Sequence, residues 1–510
     1  SEEKVIKQLH PREYYHGGFY MGKRIVSIAV AISVLFAAAL GRVGFVALSG
    51  NYTVSSGYNS YTVTIASQKQ TIYDRNMQKM NNNKDSLAAV IRPNENCLSE
   101  LDLLFSQNEI EEIVEELSQG YPVVRSVEHY ASCQYIKIFE VKSSDTSALL
   151  KFIQKQYGET AYEMNINFGI DAVGRILEGD EGEVYEEYNS EVAQGVVLTI
   201  NREIQKAVED AAKYMRKGAV VVMDAESAEI LAMYSAPDDN MFRPVMPYTV
   251  GSVFKLVVTA AALENGVDLD FTCTGSVRVG DTEFSCQHEK AHGKEDIRAA
   301  LANSCNCFFV ELALKLGAEN IHKTAEALGF GGNTEIMPGY VVTDGNLPSM
   351  NTLKESKGQL ALLGFGQGLL TATPLQFCTA LCALSANGLY AEPKLVSATL
   401  NSSGNRDDLP YNPSNRVISE ETVKTLREYM RFVVTNGTGA SAEYNHLSGG
   451  KTSTAQSGIY VDGKEVLNTW FAGVYPYDDP KYCIVVMTED GKSGSSDCCP
   501  IFRTIVENIT

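Results

Sequence analysis

Residues Lys217–Tyr234 read KGAVVVMDAESAEILAMY: two β-forming runs, Lys217–Met223 and Glu229–Tyr234, separated by the polar stretch Asp224–Ala228. That pattern predicts a hairpin. Near the other end of the chain, Gly449–Ser457 and Val466–Tyr475 flank a turn at Asp462-Gly463, and Tyr482–Thr488 adds a further run. Local hairpins imply antiparallel pairing. An Ala/Leu-rich helical block separates the two early runs from the three late ones, and a last helix is expected over about Ile501–Ile509. The simplest assembly is an α+β fold, one five-stranded antiparallel sheet with helices on both faces.

At 510 residues the chain is too long for one core, so two or three domains are expected. Hydrophobic residues at 44% and charged ones at 21% describe an ordinary globular protein. A net charge of −20 excludes bulk neutralisation of phosphates, hence a nucleic-acid partner. Upstream of the sheet, residues 49–195 read as a separate mixed α/β region. Glu109–Leu117 and Thr146–Tyr157 have helical periodicity, Tyr135–Val141 reads as a strand, and Asn81–Asp85 as a turn. The region closes on the acidic stretch Glu178–Gln194.

Ile25–Gly41 carries no charge, and apolar character resumes from Val43 to Leu48. A helix over Ile25–Leu48 is long enough to cross a bilayer, with Arg42 snorkelling outward. Lys4, Lys7, Arg12, Lys23 and Arg24 precede it, and no Lys or Arg occurs between Val43 and Gln68. This asymmetry puts residues 1–24 in the cytoplasm and everything beyond residue 50 outside. A cleaved signal peptide is the competing reading, with Ala37-Ala38-Ala39 as a small-residue cut site; the long basic lead favours a retained anchor.

Three short patterns carry the chemistry. Ser252-Val253-Phe254-Lys255 opens a helical run to Glu264, and positions three apart share a helix face, so Lys255 is placed beside the Ser252 hydroxyl as its base. The same spacing recurs at Ser1/Lys4 and Ser448/Lys451, so alone it says little. Ser304-Cys305-Asn306 is either part of a site or a helix cap. Lys451-Thr452-Ser453-Thr454 begins a strand on which Lys451 and Ser453 face one side and Thr452 and Thr454 the other.

In this order, Ser-x-x-Lys, Ser-x-Asn and Lys-Thr-small form the trio of penicillin-binding proteins and class A β-lactamases. The chain resembles a class B penicillin-binding protein. Ala219–Ser235, Gly251–Lys255, Ala291-His292-Gly293, Asn303–Asn306, Gly364–Gln376 and Trp470-Phe471-Ala472-Gly473 look like that family's successive landmarks. Ile72-Tyr73-Asp74-Arg75-Asn76 and Gly169–Gly179 resemble its pedestal segments. The resemblance implies a penicillin-binding/β-lactamase-like transpeptidase domain at 196–510, a pedestal at 49–195 and one transmembrane anchor at 25–48.

It also implies roles. Ser252 is the acylated nucleophile and Lys255 its general base, kept neutral by burial and by the nearby cation Lys451. Ser304 relays a proton; Asn306 holds the donor amide. Lys451, Thr452, Ser453 and Thr454 line the carboxylate-binding strand, and the backbone N–H groups of Ser252 and Thr454 form the oxyanion hole. The expected reaction is D,D-transpeptidation of peptidoglycan stem peptides, inhibited by β-lactams, beside a membrane glycosyltransferase partner and with no metal or cofactor. A D,D-carboxypeptidase or β-lactamase-type hydrolase, and an inactive cell-wall scaffold, are the alternatives. Ser453 departs from the family's usual glycine, Val250 from a common proline, and Lys69-Gln70 from Arg-Gly; a side chain at Ser453 is expected to crowd the substrate backbone.

The cysteines number 11. Cys273 and Cys286 bracket a short hairpin-like stretch; they either bridge in an oxidising compartment or stay buried thiols. Cys286, His288 and His292 lack a fourth metal ligand at a fitting spacing. Gly364–Gly368 lacks the Lys-Ser/Thr of a phosphate loop and reads instead as tight packing beside the active-site strand.

Overall fold

A computed structural model describes residues 26, 28–42, 60–144, 147–158, 160–170, 176, 184–188, 195–401 and 403–510. In chain order the C-terminal part runs through helix α1 (Arg202–Ala212), strands β1 (Gly218–Asp224) and β2 (Ile230–Ala236), helices α2 (Lys255–Glu264), α3 (Ile297–Asn303), α4 (Asn306–Leu316), α5 (Pro374–Cys382) and α6 (Glu420–Asn436), strands β3 (Gly449–Val461), β4 (Lys464–Tyr475) and β5 (Tyr482–Glu489), and helix α7 (Cys499–Ile509). The five strands form one antiparallel sheet in the order β2–β1–β5–β4–β3. The early and late hairpins are joined by β5 on β1, with Tyr482 opposite Asp224 and Thr488 opposite Gly218. The expected turn at Asp462-Gly463 closes β3 onto β4.

Central strands here carry continuous apolar runs because both faces are covered. Val220, Val222, Ile484, Val486 and Phe471 meet α1 and α7 on one face. Val221, Met223, Val485, Met487 and Trp470 meet the helical block on the other. The α2 helix is apolar all round and buried from Lys255 to Ala262, which marks it as an internal helix. The sheet therefore sorts its residues by parity, and β3, at the sheet edge, keeps one side unpaired.

Upstream, Val123–Val127, Lys84–Ile91 and Ile136–Ser143 form a three-stranded sheet, with helices at Gln107–Leu117 and Ala148–Tyr157. Ser147 caps the second helix by accepting from Leu150 N. Of the turn expected at Asn81–Asp85, Asn81 and Asn82 make the bend, donating to the carbonyls of Gln70 and Lys69 at 2.8 Å each, while Lys84 and Asp85 already belong to strand Lys84–Ile91. Strand Thr71–Tyr73 lies parallel to Gly195–Leu198, which in turn pairs with Val396–Leu400. Asp74 Oδ1 accepts from Asn76 N and Gln78 N, and Arg75 pairs with Glu229 at 3.3 Å.

Residues 64–117, 122–165 and 185–510 make one compact unit; residues 1–63, 118–121 and 166–184 make another. Within the smaller unit Tyr61 packs on Tyr121, with ring centroids 4.7 Å apart. Residues 28–42 are helical and exposed. Among the described residues no helix is long and apolar enough to cross a membrane. The expected cytoplasmic segment 1–24, the anchor beyond residue 42 and most of the acidic stretch Glu178–Gln194 lie outside the described residues, the exception in that stretch being strand Val184–Tyr188.

Phe502 on α7 is buried and sits edge-on to Phe471, 4.9 Å between centroids. Phe502→Ala should cost about 3–5 kcal/mol. Urea unfolding followed by the fluorescence of Trp470, the single tryptophan, measures this. A loss under about 1 kcal/mol would mean the last helix docks through other side chains.

Candidate active site

Ser252 lies in a tight 3₁₀ turn, Gly251–Phe254, that runs directly into α2. In a 3₁₀ turn residues three apart eclipse one another, so Lys255 stands behind Ser252. The turn is clamped from three sides. Gly251 N donates to Gly366 O at 2.9 Å. From β4, Trp470 Nε1 donates to Thr249 O at 3.0 Å and Asn468 Nδ2 to Thr249 Oγ1 at 2.9 Å. Tyr248 donates to Glu489 Oε1 at 3.0 Å, and the same oxygen accepts from buried Arg243 at 2.7 Å.

Gly251 has φ +58°, and a Cβ there would come within 2.5 Å of Ser453 Oγ. Gly366, at φ +78°, lies so close that a Cβ would meet Gly251 O at 2.0 Å. The glycine-rich segment Gly364–Gly368 thus serves tight packing, as expected, but through Gly366 against the Ser252 turn and not beside the strand.

Lys255 has no exposed surface. Its Nζ donates to Ser304 O at 2.8 Å, Asn306 Oδ1 at 2.8 Å and Ser304 Oγ at 3.3 Å; none of these bonds is to Ser252. Lys451, also fully buried, donates to the same Ser304 Oγ at 3.1 Å and to Thr452 O at 2.9 Å. Ser304 sits in the left-handed region (φ +55°) where α3 ends, and α4 begins two residues later at Asn306. The cap of α4 is Cys305, whose Sγ accepts from Phe308 N, so this motif joins two helices while its flanking residues meet both lysines. Asn306 also donates to Ser285 O at 3.0 Å.

Burial pulls the Lys255 ammonium down to about 8, against the opposing effect of the Cys305 and Cys286 thiols and the Glu295 carboxylate. Burial, and then the neighbouring Lys255, holds Lys451 well below the ordinary lysine range. The sequence reading gave Lys451 a share in lowering Lys255; in the structure desolvation is the largest cause at Lys255, and the like-charge effect falls on Lys451.

On β3, Thr452 Oγ1 lies 2.5 Å from Thr438 Oγ1, and Thr454 sits opposite Thr469. Ser453 is buried, its Oγ has no hydrogen-bond partner, and it points at Gly251. It occupies the side of the strand shared with Lys451, against the turn that carries Ser252. Thr438, Trp470, Asn468 and Arg243 were not singled out as site residues. Thr438 follows the C-terminal glycine of α6, and the other three act only through the fold.

Residues 218–507 match the penicillin binding protein transpeptidase domain. The chain belongs to this family. The resemblance to class B penicillin-binding proteins is thereby borne out. Stage V sporulation protein D of Bacillus subtilis is 30% identical over 345 residues, 61% of this chain and 52% of that protein; the chain spans about half the length of the curated relatives it matches. The D,D-transpeptidase domain of a peptidoglycan glycosyltransferase from Eggerthella lenta superposes with a TM-score of 0.57 at 25% identity, covering 69% of this chain and 95% of that one. Penicillin-binding protein 3 from Mycobacterium tuberculosis, complexed with aztreonam, shares the fold at a TM-score of 0.61 and 21% identity, over 88% and 96% of the two chains.

The contact between Gly251 and Ser453 is testable without an activity assay. Gly251→Ala should lower stability by about 1–3 kcal/mol, from the left-handed backbone and the clash. Adding Ser453→Gly to that variant should recover about 0.5 kcal/mol or more. Absence of coupling in urea unfolding would place the Ser453 hydroxyl elsewhere.

Proposed function

We propose that this chain is a serine-type peptidoglycan D,D-transpeptidase that works through a Ser252 acyl-enzyme and is inhibited by β-lactams acylating the same serine. The observation that carries this reading is the convergence of Lys255 and Lys451, both buried, on Ser304 Oγ directly behind the Ser252 turn. Motifs separated by up to two hundred residues meet at one oxygen, beside an unpaired sheet edge.

A neutral lysine amine has two N–H donors and one lone pair. The two 2.8 Å bonds to Ser304 O and Asn306 Oδ1 use the donors, and the lone pair, with Ser304 Oγ 3.3 Å from the nitrogen, takes the Ser252 proton and passes it to Ser304. Attack of Ser252 Oγ on the penultimate D-alanine carbonyl forms the ester and breaks the amide; the proton passes through Lys255 and Ser304 to the leaving amine. The N–H groups of Ser252 and Thr454 hold the developing oxyanion, a contribution of about 3–4 kcal/mol per donor in comparable enzymes. Lys451, Thr452 and Thr454 hold the terminal carboxylate and Asn306 the donor amide. An amine from a second stem peptide then takes the acyl group.

The Eggerthella lenta domain, part of a glycosyltransferase, supports a glycan-polymerising partner; the apolar stretch 25–48, flanked by cytoplasmic-side cations, supports a single anchor with residues 49–195 as pedestal and 196–510 outside. The scaffold alternative drew on Ser453 and the altered pedestal segment; the Ser453 hydroxyl faces Gly251, the residue before Ser252. A hydrolase is separated by its products: released D-alanine or opened lactam instead of a cross-link.

Incubating the full chain with a fluorescent penicillin should give a stable adduct that peptide mass assigns to Ser252 and that Ser252→Ala abolishes. No adduct on folded protein would sink the reading. Because Lys255 is a base only when neutral, the acylation rate should rise with pH through about 8 and level off above it. A rate that is flat between about pH 6 and 9 would remove Lys255 from that role.

A further inference from the structure

Behind the Ser304-Cys305-Asn306 loop, three short elements bring four soft ligand atoms together. Strand Phe271–Cys273 pairs with Gly293–Glu295, so Cys273 stands opposite Gly293 and next to His292. Hairpin Ser276–Val279/Thr282–Ser285 ends in Cys286, whose N–H returns to Gly275 O at 2.9 Å. Cys305 comes from the junction of α3 and α4. The thiol sulfurs of Cys273, Cys286 and Cys305 and an imidazole nitrogen of His292 all lie within 4.8 Å of one another.

The separations have a specific meaning. Zinc–thiolate and zinc–imidazole bond lengths set tetrahedral edges of about 3.8 Å between sulfurs and about 3.6 Å between sulfur and nitrogen. Here Cys273 and Cys286 are 3.7 Å apart, Cys286 and Cys305 3.7 Å, and Cys273 and His292 Nδ1 3.5 Å. A disulfide needs its sulfurs at about 2.05 Å and uses only two of the groups. The other buried thiols, Cys97 in the upstream region, Cys378, Cys382 and Cys483 behind β1 and Cys498 and Cys499 at the start of α7, join no such cluster with an imidazole among the described residues. Cys307, 3.4 Å from Cys286, is a fourth sulfur outside the four-residue set. His288 is exposed and does not join.

The geometry points to a tetrahedral Cys₃His site for a thiophilic divalent cation, zinc by its ligand chemistry, formed by Cys273, Cys286, His292 and Cys305. Binding replaces the ion's waters, releases the three thiol protons to solvent, and takes His292 through Nδ1 as the neutral imidazole. The Phe308 N–H bond to Cys305 Sγ, 3.4 Å, is the outer contact that orients this thiolate. Since Cys305 lies between Ser304 and Asn306, the ion fixes the left-handed turn that presents both side chains to Lys255. The site itself stands apart from the acylation chemistry; only this positioning consequence rests on the proposed function.

The full chain, purified without chelator, is analysed for metal and then exchanged with Co²⁺. One equivalent of zinc, with thiolate-to-cobalt charge-transfer and intense tetrahedral d–d bands after exchange, is expected. Cys273→Ser and His292→Ala should each lose the metal or the tetrahedral spectrum, while Cys382→Ser keeps both. Metal-free wild-type protein that also fails to bind Co²⁺, or a disulfide among the four found by non-reducing peptide mapping, overturns the site. If the site holds, stripping the ion should slow penicillin acylation about tenfold to a hundredfold, reversed by zinc. A metal-loaded protein whose acylation ignores stripping keeps the site and removes its link to Ser304 and Asn306.

Discussion

Two lysines without exposed surface, Lys255 and Lys451, are held within hydrogen-bonding reach of one serine oxygen, and most of the domain can be understood as the means of keeping them there. Burying a cation away from water is costly unless its donors are filled. Lys255 reaches Ser304 O, Asn306 Oδ1 and Ser304 Oγ, and Lys451 reaches Ser304 Oγ and Thr452 O. Every one of those acceptors belongs to a helix junction or an edge strand. None lies on the helix that carries Ser252. Ser252 and the groups gathered around Lys255 therefore belong to different elements, and only packing keeps their relative positions.

That packing is rigid by construction. The α2 helix is enclosed on all sides, so the Ser252 turn at its head cannot rotate independently. Thr249, two residues before the turn, is pinned to Trp470 and Asn468, and Tyr248 to the Arg243–Glu489 pair. Two glycines let backbone meet backbone where any side chain would intervene, Gly251 against β3 and Gly366 against Gly251. The serine that replaces the family's usual glycine on β3 is accommodated because Gly251 has no Cβ. The space that one position gives up is taken by the other.

The loop of Ser304 and Asn306 is the least self-sufficient part. A non-glycine residue at φ +55° persists only where its surroundings hold it. Here those surroundings are the bond from Asn306 to the Ser285 carbonyl, the backbone of α3, and the sulfur cluster around Cys305. The residues that meet Lys255 and a thiol-rich cluster thus share three consecutive positions in the chain, and the stiffness of one steadies the other.

The fold was legible from the sequence because strands and hairpins are local. Lys217–Tyr234, the Asp462-Gly463 turn and the alternation of Lys451 through Thr454 depend on neighbours in the chain and on the period of two, and the structure keeps them with ends moved by a few residues. The three motifs were legible as well, since their spacing is itself the signal. Other features exist only in three dimensions. That Lys255 turns to Ser304 and Asn306, that Ser453 faces Gly251, and that Trp470 holds Thr249 all depend on elements more than forty residues apart. Cys273, Cys286, His292 and Cys305 follow no motif spacing, and no periodicity links them; two hairpins and a helix junction bring them together. Local propensity and spacing determined the elements and named the candidate residues; tertiary packing alone decided which atoms touch, because burial and close approach belong to the assembled chain and to no segment of it.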